Sequence, residues 1–520
     1  LTGNPLGYPQ SPDDLLVDEH GAPRRLDHAF SWEFTLAAHG LLQSVIRNAV
    51  HGNPTRIDTL FLFMANMGWN SAMDTTTTRK LLCARDENGE YKIPHIIYAD
   101  AYDSETVAFA DLVLPDTTYL ERFDCISLLD RPISDAECAA DAIRQPVVQP
   151  DRDVRPFQDV LLDLGARLRL PNMVDASGNP AYKNYADYIA RHERAPGVGL
   201  LSGWRGTDGA QQGKGASNPE QLQRYIEHDC FFETRVPEAG AYYRMANRDY
   251  LAWAQAMGFV GSTESITMQL YCEVLQRFRL AAQGHGVVRP PESERARVAR
   301  YFDPIPFWYA STNQEQALSP DSFSIGGEDW VRGKTSHGAG FLQPETHVPS
   351  PQPSPPSPAM EEREPDFPLS AITQRPMFMY HAWGSQNRWL RQIAARNVLY
   401  VHPRTLAEHA FEDGDWAWIA SRRGRIRVEV CAHAGCAPGT VWTWNAIGKK
   451  RGAWKLADKA PEFVDGFLLN HLIGERASGS ARYANGDPVT GQAAWFDLKV
   501  RLEHDSEPRV PGHRFEPAGA

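Results

Sequence analysis

Three nearly continuous apolar runs, at residues 59–65, 93–99 and 112–114, lie in the first third of the chain. Runs of this length and composition are typical of strands that are buried on both faces of a sheet. Residues 30–49 instead place apolar side chains three and four positions apart, which predicts an amphipathic helix. A second, shorter helix is predicted at 105–110. Strands and helices therefore alternate in this part of the chain.

This alternation, completed within about sixty residues, predicts βαβ units and a parallel sheet. Asp74 follows the first apolar run and is expected to cap a helix that extends through Leu82. Ligands of such sheets bind outside the carboxyl ends of the strands. Those ends carry Asn66, Asp100 and Asp116, which makes this edge of the sheet the candidate binding region.

After the first part of the chain, residues 1–170, the sequence pattern distinguishes three further regions. Residues 171–343 follow no regular pattern apart from a predicted amphipathic helix at 263–283. A Pro/Ser-rich run at 344–366 has no packing face and is predicted to be a semi-extended linker. Short β-rich runs with turn residues between them then predict a small barrel within 367–510. Its predicted strands are 398–401, 416–420, 425–430, 441–444 and 495–502.

Composition and charge mainly exclude certain classes of protein. The chain has 520 residues, 42% hydrophobic and 23% charged, which suits a globular protein of about three domains. No apolar run approaches the roughly 20 residues of a membrane-spanning helix. The net charge of −12 argues against a nucleic-acid partner, because such proteins usually present a basic face. Seven cysteines without a CxxC pair argue against a disulfide scaffold, and against a zinc or iron–sulfur site built from this chain alone.

Two parts of the sequence resemble one known family. Residues 110–122, ADLVLPDTTYLER, resemble a signature of the molybdopterin oxidoreductases of the dimethyl-sulfoxide-reductase family. The predicted barrel resembles the C-terminal domain of that family, and its motifs occur in the expected order. These motifs are TQR at 373–375, HAWGSQN at 381–387, HP at 402–403, DGD at 413–415 and PG at 438–439.

The resemblance implies both a fold and a cofactor. The expected fold is α/β plus β: an incomplete parallel α/β pterin-dinucleotide domain, its C-terminal half, in 1–170, then a small β-barrel of the double-psi, aspartate-decarboxylase-like type. The expected cofactor is bis(molybdopterin guanine dinucleotide) carrying molybdenum or tungsten. Such a cofactor supplies two-electron redox chemistry, often with oxygen-atom transfer, while the protein orients it and tunes its electronics.

The resemblance also implies which residues contact the cofactor. In the α/β part, Asp100 stands where family members place a carboxylate that accepts hydrogen bonds from guanine or ribose, and Asn66 and Arg122 stand at further contact positions. The expected contacts in the barrel are Thr373, Arg375, His381, Ser385, Asn387, Asn470 and Gln492. The catalytic residues are not identified from the sequence, and no metal ligand is expected within this chain.

Five of these ten residues have an ordinary structural alternative. The alternatives are loop capping for Asn66 and Asp100, a surface ion pair with Glu121 or Asp124 for Arg122, burial within the barrel for His381, and capping of a helix at 388–395 for Asn387.

Further motifs are similar to the branch of the family that acts on sulfur compounds. Residues 143–148, IRQPVV, and 383–387, WGSQN, resemble this branch, and 64–71, MANMGWNS, resemble its sulfite-oxidising members. The activity expected of the complete protein is oxidation of sulfite to sulfate. Reduction of polysulfide or thiosulfate is the alternative within the family. A non-catalytic scaffold subunit of a redox complex is the alternative outside enzyme function.

The family's [4Fe–4S] segment and its metal ligand are expected upstream of residue 1. The chain is therefore expected to be the C-terminal part of a longer polypeptide, and to be inactive alone. The expected partners are a small inorganic sulfur substrate and two further subunits: a membrane anchor and an iron–sulfur electron-transfer subunit. The expected location is peripheral on the cytoplasmic face of the inner membrane, or periplasmic if an export signal lies upstream.

Overall fold

The structure is a computed structural model. It describes residues 9–37, 41–125, 133–134, 138–191, 204–205, 211–212, 220–227, 229–235, 252–253, 255–258, 271–305, 366–379, 384, 387–394, 396–445, 447–449, 466–478, 481–484, 487, 489–493, 498–506 and 514–518. No helix in these ranges is both long enough and apolar enough to cross a membrane.

A three-stranded parallel sheet lies in the first part of the chain, as the apolar runs predict. Strand β2 is central, with β1 and β3 on either side, and Thr59 lies opposite His95. Helix α2 is capped by Asp74, whose carboxylate accepts from the backbone N–H of Thr77 at 2.9 Å, which confirms the predicted cap. The elements are α1 Leu42–His51, β1 Thr59–Phe63, α2 Thr75–Leu82, β2 His95–Asp100, a 3₁₀ helix Glu105–Phe109 and β3 Leu112–Pro115.

The helix predicted at 30–49 is wrong in its first half. Helix α1 begins at Leu42, and residues 30–37 form an irregular turn in which Phe30 has a left-handed φ of 58°. Phe30, Phe34 and Leu41 are buried in a small cluster of their own. Gly491, from far along the chain, packs into this cluster, since a Cβ there would lie 2.4 Å from Cδ1 of Phe34. Tertiary packing therefore overrides the helical periodicity.

The middle of the chain contains short strands and helices. Strand β6 pairs with β4, β5 and β9 in an antiparallel sheet. The helix predicted at 263–283 is observed only from Glu273, because Cys272 is extended; residues 259–270 lie outside the described ranges, as does the predicted linker up to residue 365. The elements are β4 Asp124–Cys125, β5 Ile133–Ser134, β6 Cys138–Arg144, α3 Phe157–Arg167, α4 Tyr185–Arg191, β7 Trp204–Arg205, β8 Gln211–Gln212, α5 Gln221–Glu227, β9 Phe231–Arg235, α6 Glu273–Ala282 and α7 Glu292–Tyr301.

Six strands close into a β-barrel in the last part of the chain. Their order is β11, β14, β10, β17, β12 and β13, and β13 pairs back to β11. Strand β18 adds to β13 outside the ring. The pairings β10–β14 and β11–β13 are parallel. The elements are β10 Leu369–Gln374, α8 Arg388–Arg391, β11 Leu399–Val401, α9 Pro403–Glu408, β12 Trp416–Ser421, β13 Gly424–Ala432, β14 Thr440–Trp444, a 3₁₀ helix Leu469–His471, β15 Glu475–Ser478, β16 Ala481–Ala484, β17 Leu498–His504 and β18 Arg514–Pro517.

The barrel strands confirm the sequence prediction to within about two residues for the first four runs. The fifth run, predicted at 495–502, is observed as β17, and residues 494–497 lie outside the described ranges. Alternate positions of these strands point inward and build the largest buried cluster of the described residues, which includes Ala371, Val401, Ile419, Val428 and Val500. This period-two burial is what closes the sheet around a dry core.

Candidate functional site

The loop after β1 is pinned to the loop after β2 by one buried amide. The side chain of Asn66 donates from Nδ2 to Oε2 of Glu105 at 2.7 Å and to Oδ1 of Asn70 at 2.8 Å. Its Oδ1 accepts from the N–H of Thr106 at 3.1 Å and from the Thr106 hydroxyl at 2.7 Å. The amide therefore holds the two loops together at the edge of the candidate site. The predicted contact of Asn66 with a cofactor stays a prediction.

Asp100 ends β2 as a buried carboxylate with several donors around it. Its Oδ2 accepts from the hydroxyls of Tyr98 and Ser104, the latter at 3.0 Å, and its Oδ1 accepts from the N–H of Tyr102 at 3.1 Å. Burial raises the pKa of Asp100 above its usual range, although these hydrogen bonds act in the opposite direction. Two carboxylate oxygens offer about four acceptor sites, and donors among the described residues use three of them, which leaves capacity for one more.

Asp116, at the end of β3, forms a buried ion pair with Arg122. Nη1 of Arg122 donates to Oδ2 of Asp116 and to the carbonyl of Thr117 at 3.1 Å. The second Asp116 oxygen accepts from the N–H of Phe157 at 2.9 Å. The surface pair considered for Arg122 is therefore wrong. The two carboxylates considered for that pair bind other arginines: Glu121 binds Arg152, and Asp124 binds Arg144.

One buried nitrogen of Arg122 has no hydrogen-bond partner among the residues that the structure describes. Nε of Arg122 is shielded from water and has no acceptor within the described structure. The guanidinium also lies over the ring of Phe63, at 5.7 Å from its centroid. Because a buried donor without a partner costs about 1–3 kcal/mol, this atom is a position at which a bound polar group would be stabilised.

The barrel contacts the α/β part along residues 69–76. These contacts join residues almost 400 positions apart, so loops of the barrel pack directly against the loop and helix that follow β1. The region between these barrel loops and the strand ends at Asn66, Asp100 and Asp116 is referred to as the crevice. The contacts are the donation from Nε1 of Trp69 to the carbonyl of Gly448 at 3.1 Å, the donation from Nδ2 of Asn470 to the carbonyl of Ala72 at 2.6 Å, and the contact of Nδ1 of His471 with Oγ1 of Thr76 at 3.2 Å.

The other predicted barrel residues take different positions. Thr373 is half-buried in β10 opposite Thr443, and Arg375 is exposed just after that strand. Asn387 caps α8 by accepting from the N–H of Trp389 at 2.9 Å, which supports its structural alternative, although the helix ends at Arg391 rather than at 395. Gln492 is exposed in a loop. His381 and Ser385 lie outside the described residues.

Three residues of the crevice, Lys449, Glu105 and Asn397, were not predicted from the sequence. Lys449 stands in the run GKKRG, which looks like a solvated basic segment, yet it is only 4% exposed. Glu105 is 2% exposed at the start of the 3₁₀ helix after β2. Asn397 is buried below the loop that carries Lys449. Of these three residues, only Glu105 could have been found from the sequence, because it closely follows the predicted strand end at Asp100.

His471 forms part of the contact between the barrel and α2. Its ring stacks on Phe515, with 4.6 Å between centroids, and meets Trp69 edge-on at 5.0 Å. Burial, and next the charge of Arg79, lower the pKa of His471 to about 4. The folded protein therefore keeps this ring neutral at pH values at which the unfolded chain protonates it.

We expect this histidine to make the fold acid-sensitive. Because its pKa is lowered from the value of 6.5 expected of an unfolded chain, stability is lost as the pH falls from 6.5 towards 4. The loss amounts to about 3 kcal/mol at most. His471→Phe keeps the stacking on Phe515 and removes the titration. Urea unfolding across this pH window checks the prediction: the wild-type protein is expected to lose more stability than the variant, and parallel losses would contradict it.

Comparisons with known proteins agree with this geometry. Residues 369–483, which include most of the barrel, match the model of the molydopterin dinucleotide binding domain. A sulfite dehydrogenase subunit from Allochromatium vinosum is 47% identical over 99% of this chain and 50% of that protein. The thiosulfate reductase molybdopterin-containing subunit PhsA of Salmonella typhimurium is 23% identical over 85% of this chain and 44% of that protein. The chain thus spans about half the length of these relatives.

The closed barrel and the match to the family model together identify residues 369–483 as a molydopterin dinucleotide binding domain. Over most of its length the chain is also similar to a sulfite dehydrogenase subunit and to a thiosulfate reductase subunit, which fits the sulfur-compound branch of the dimethyl-sulfoxide-reductase family. This confirms the resemblance stated from the motifs, and with it the predicted class of cofactor.

The residues of the crevice suit such a dinucleotide. Asp100 is a buried carboxylate with acceptor capacity left, which matches the N–H groups of a guanine or the hydroxyls of a ribose. Arg122 presents a buried N–H without a partner in the described structure, which matches an acceptor oxygen or nitrogen. Asp100 ends β2, and Arg122 is paired with Asp116 directly after β3, so both groups are held at the edge where α/β sheets bind their ligands.

Proposed function

We propose that the complete protein oxidises sulfite to sulfate, and that this chain holds part of its molybdopterin guanine dinucleotide cofactor. The observation that carries the proposal is the 47% identity to one subunit of a sulfite dehydrogenase over almost the whole chain. In this reaction sulfite gains one oxygen atom, supplied overall by water, and releases two electrons and two protons. The molybdenum centre, when bound, supplies the two-electron redox chemistry.

The chain's own residues orient the cofactor in this proposal. Asp100 accepts hydrogen bonds from the guanine or ribose end, and Arg122 donates to it from its buried Nε. Asn66 holds the loop that carries the next wall of the crevice. Thr373, Arg375, His381, Ser385, Asn387, Asn470 and Gln492 are proposed as the contacts from the barrel side. We also propose a double-psi barrel, which the two parallel pairings among the six strands favour.

Reduction of thiosulfate or polysulfide is the second candidate. It is favoured by the similarity to a thiosulfate reductase subunit over 85% of the chain. It runs in the opposite redox direction, because the sulfur compound accepts electrons. A membrane anchor and an iron–sulfur electron-transfer subunit suit both candidates, and so does a peripheral position at the inner membrane. We propose these partners and this location for the complete protein in either case.

Steady-state assays of the full-length protein separate the candidates. We expect sulfite to reduce an artificial electron acceptor in proportion to the molybdenum content, with sulfate as the product. Thiosulfate-dependent oxidation of a reduced dye, without sulfite oxidation, would replace the first candidate by the second. Absence of both activities in a molybdenum-loaded protein would refute both and favour a scaffold role.

The role of Asp100 gives a further prediction. Asp100→Asn keeps the shape but removes the negative charge and part of the acceptor capacity, so we expect the molybdenum content of the purified full-length protein to fall several-fold. Asp111→Asn is the matched control: Asp111 lies at the opposite end of the same sheet, where it accepts from the N–H of Ile96 at 2.7 Å. Metal analysis with guanine nucleotide analysis checks both variants, and equal contents would contradict the role.

A further inference from the structure

The two faces of the parallel sheet are covered unequally. Leu60 and Leu62 of β1 pack with residues of α1 and α2 into one buried cluster, and neither is more than 8% exposed. The alternate residues point to the opposite face, where Phe61 lies beside Ile97 of β2 and Ile97 beside Leu112 of β3. Phe61 and Ile97 are only half-buried, and Leu112 is 50% exposed. We call this surface the open face, and its larger apolar residues are Phe61, Phe63, Ile97, Leu112 and Leu114.

Helix α3 continues the apolar surface of the open face. Its first residue, Phe157, stacks on Phe63 with 4.0 Å between ring centroids and meets Phe61 edge-on at 5.3 Å. The next positions on the same side of the helix, at spacings of four, three and four residues, all carry leucine. We call Leu161, Leu164 and Leu168 the leucine stripe, and they are 38–61% exposed. Gly165 and Ala166, on other sides of the helix, are buried, so the stripe is not the inner face of α3.

The acidic side chains of α3 already have partners within the chain. Asp163 accepts from Nη1 of Arg155 at 3.1 Å and from Nε of Arg167 at 3.0 Å, and Asp159 accepts from the N–H of Tyr185 at 2.6 Å. The surface therefore offers an apolar contact rather than an electrostatic one. A contiguous apolar surface of this kind usually marks a place that another part of a protein covers.

We propose that the open face and the leucine stripe bind the part of the complete polypeptide that precedes residue 1. Parallel sheets occur almost only with both faces covered, and within the described residues α1 and α2 cover one face while the other keeps the exposure given above. The chain spans 50% and 44% of two relatives, so proteins of this kind contain enough further polypeptide for a second layer.

The position of the sheet in the chain favours the preceding part over a following one. The sheet lies towards the N-terminal end, and β1 is at its edge, whereas the C-terminal end of the chain belongs to the barrel. Elements that are consecutive in sequence are usually neighbours in space. Because the layer that covers a parallel sheet is helical, the expected occupant is one or two amphipathic helices with their apolar side on the open face.

Photo-crosslinking in the full-length protein tests this assignment. p-Benzoylphenylalanine replaces Leu164 in the leucine stripe or, in a separate protein, Leu112 on the open face. Val287, which is 96% exposed between α6 and α7, is the matched control position. We expect both test positions to join peptides from before residue 1 of the same polypeptide, and the control position to give no such product. Mass spectrometry of the digested protein identifies the joined peptides.

Three results would overturn the assignment. They are a cross-link from the test positions to another stretch of residues 1–520, a cross-link to a second copy or to a different subunit, and the absence of any cross-link. Neither the label nor its readout involves sulfite or the cofactor, so the result is independent of the proposed reaction.

Leu164→Asp in the full-length protein gives a second readout without a label. A carboxylate on a solvent-facing helix side changes stability little, whereas one buried against an apolar partner is costly. We expect the fraction of unfolded protein at a fixed urea concentration to rise at least about tenfold in Leu164→Asp and to stay unchanged in Val287→Asp. An unchanged fraction in Leu164→Asp contradicts the proposal. If that variant does not accumulate in folded form, Leu164→Ala is measured instead, with a rise of about several-fold expected and an unchanged fraction as the contrary result.

Discussion

Arg122→Met is expected to lower the free energy of unfolding by about 3–5 kcal/mol. The physical reason is that the substitution leaves the Asp116 carboxylate buried without its cation. Asp116 is 1% exposed, and it cannot turn to water because its other oxygen is held by the N–H groups of Thr117 and Phe157. Urea unfolding of the purified protein, with the pH held fixed, measures the loss.

Arg152→Met is the matched control for this prediction. Arg152 binds Glu121 through two nitrogens, at 2.6 and 2.8 Å, but its own side chain is 41% exposed, so its removal is expected to cost less than the removal of Arg122. Adding Asp116→Asn to Arg122→Met removes the uncompensated charge while keeping an acceptor oxygen. We expect that double variant to recover part of the loss. Equal losses for the two arginine variants would show that burial does not determine the strength of these pairs.

Asn397→Leu is expected to cost about 3 kcal/mol or more, because several buried groups lose their partner together. Nδ2 of Asn397 donates to the carbonyls of Trp444 and Ile447, both at 3.0 Å, and Oδ1 accepts from the hydroxyl of Thr443 at 2.7 Å. Leucine has a similar size and makes none of these bonds. Thermal and urea unfolding are expected to show the loss.

The control for Asn397→Leu is Asn387→Leu. Asn387 is exposed and caps α8, so its replacement is expected to cost about 1 kcal/mol. If the support of the Lys449 loop is the main task of Asn397, Asn397→Leu will also release the cofactor more readily at a given stability. A loss no larger than that of Asn387→Leu would contradict the assigned importance of the buried amide network.

The sequence predicted the sheet and the barrel because both depend on local patterns. Apolar runs mark strands that are buried on both faces, and the barrel strands alternate between an inward and an outward face, so their positions follow from nearest neighbours along the chain. Local patterns were not sufficient to predict the conformation of residues 30–49. Their periodicity is real, but the packing of Phe34 against Gly491 decides the conformation.

The site was predictable only as far as its position in the topology. Asp100 and Asp116 follow buried strands, and strand ends in parallel sheets are where ligands bind. The partner of Arg122 was not predictable from its neighbours, because burial selects Asp116 over the nearer Glu121 and Asp124. The burial of Lys449 was not predictable either, because a basic run is typical of a solvated surface. Only the fold shows that one residue of this run is buried where the barrel meets the α/β part.

The contacts of Asn470 and Trp69 with their distant partners have a consequence for biogenesis. Asn470 bonds to Ala72 across 398 positions of sequence, and β17, one of the last strands to be made, is needed to complete the ring between β10 and β12. A nascent chain therefore has no finished crevice while most of it is still being synthesised. A pterin held from both sides can therefore bind only after translation has passed the barrel strands.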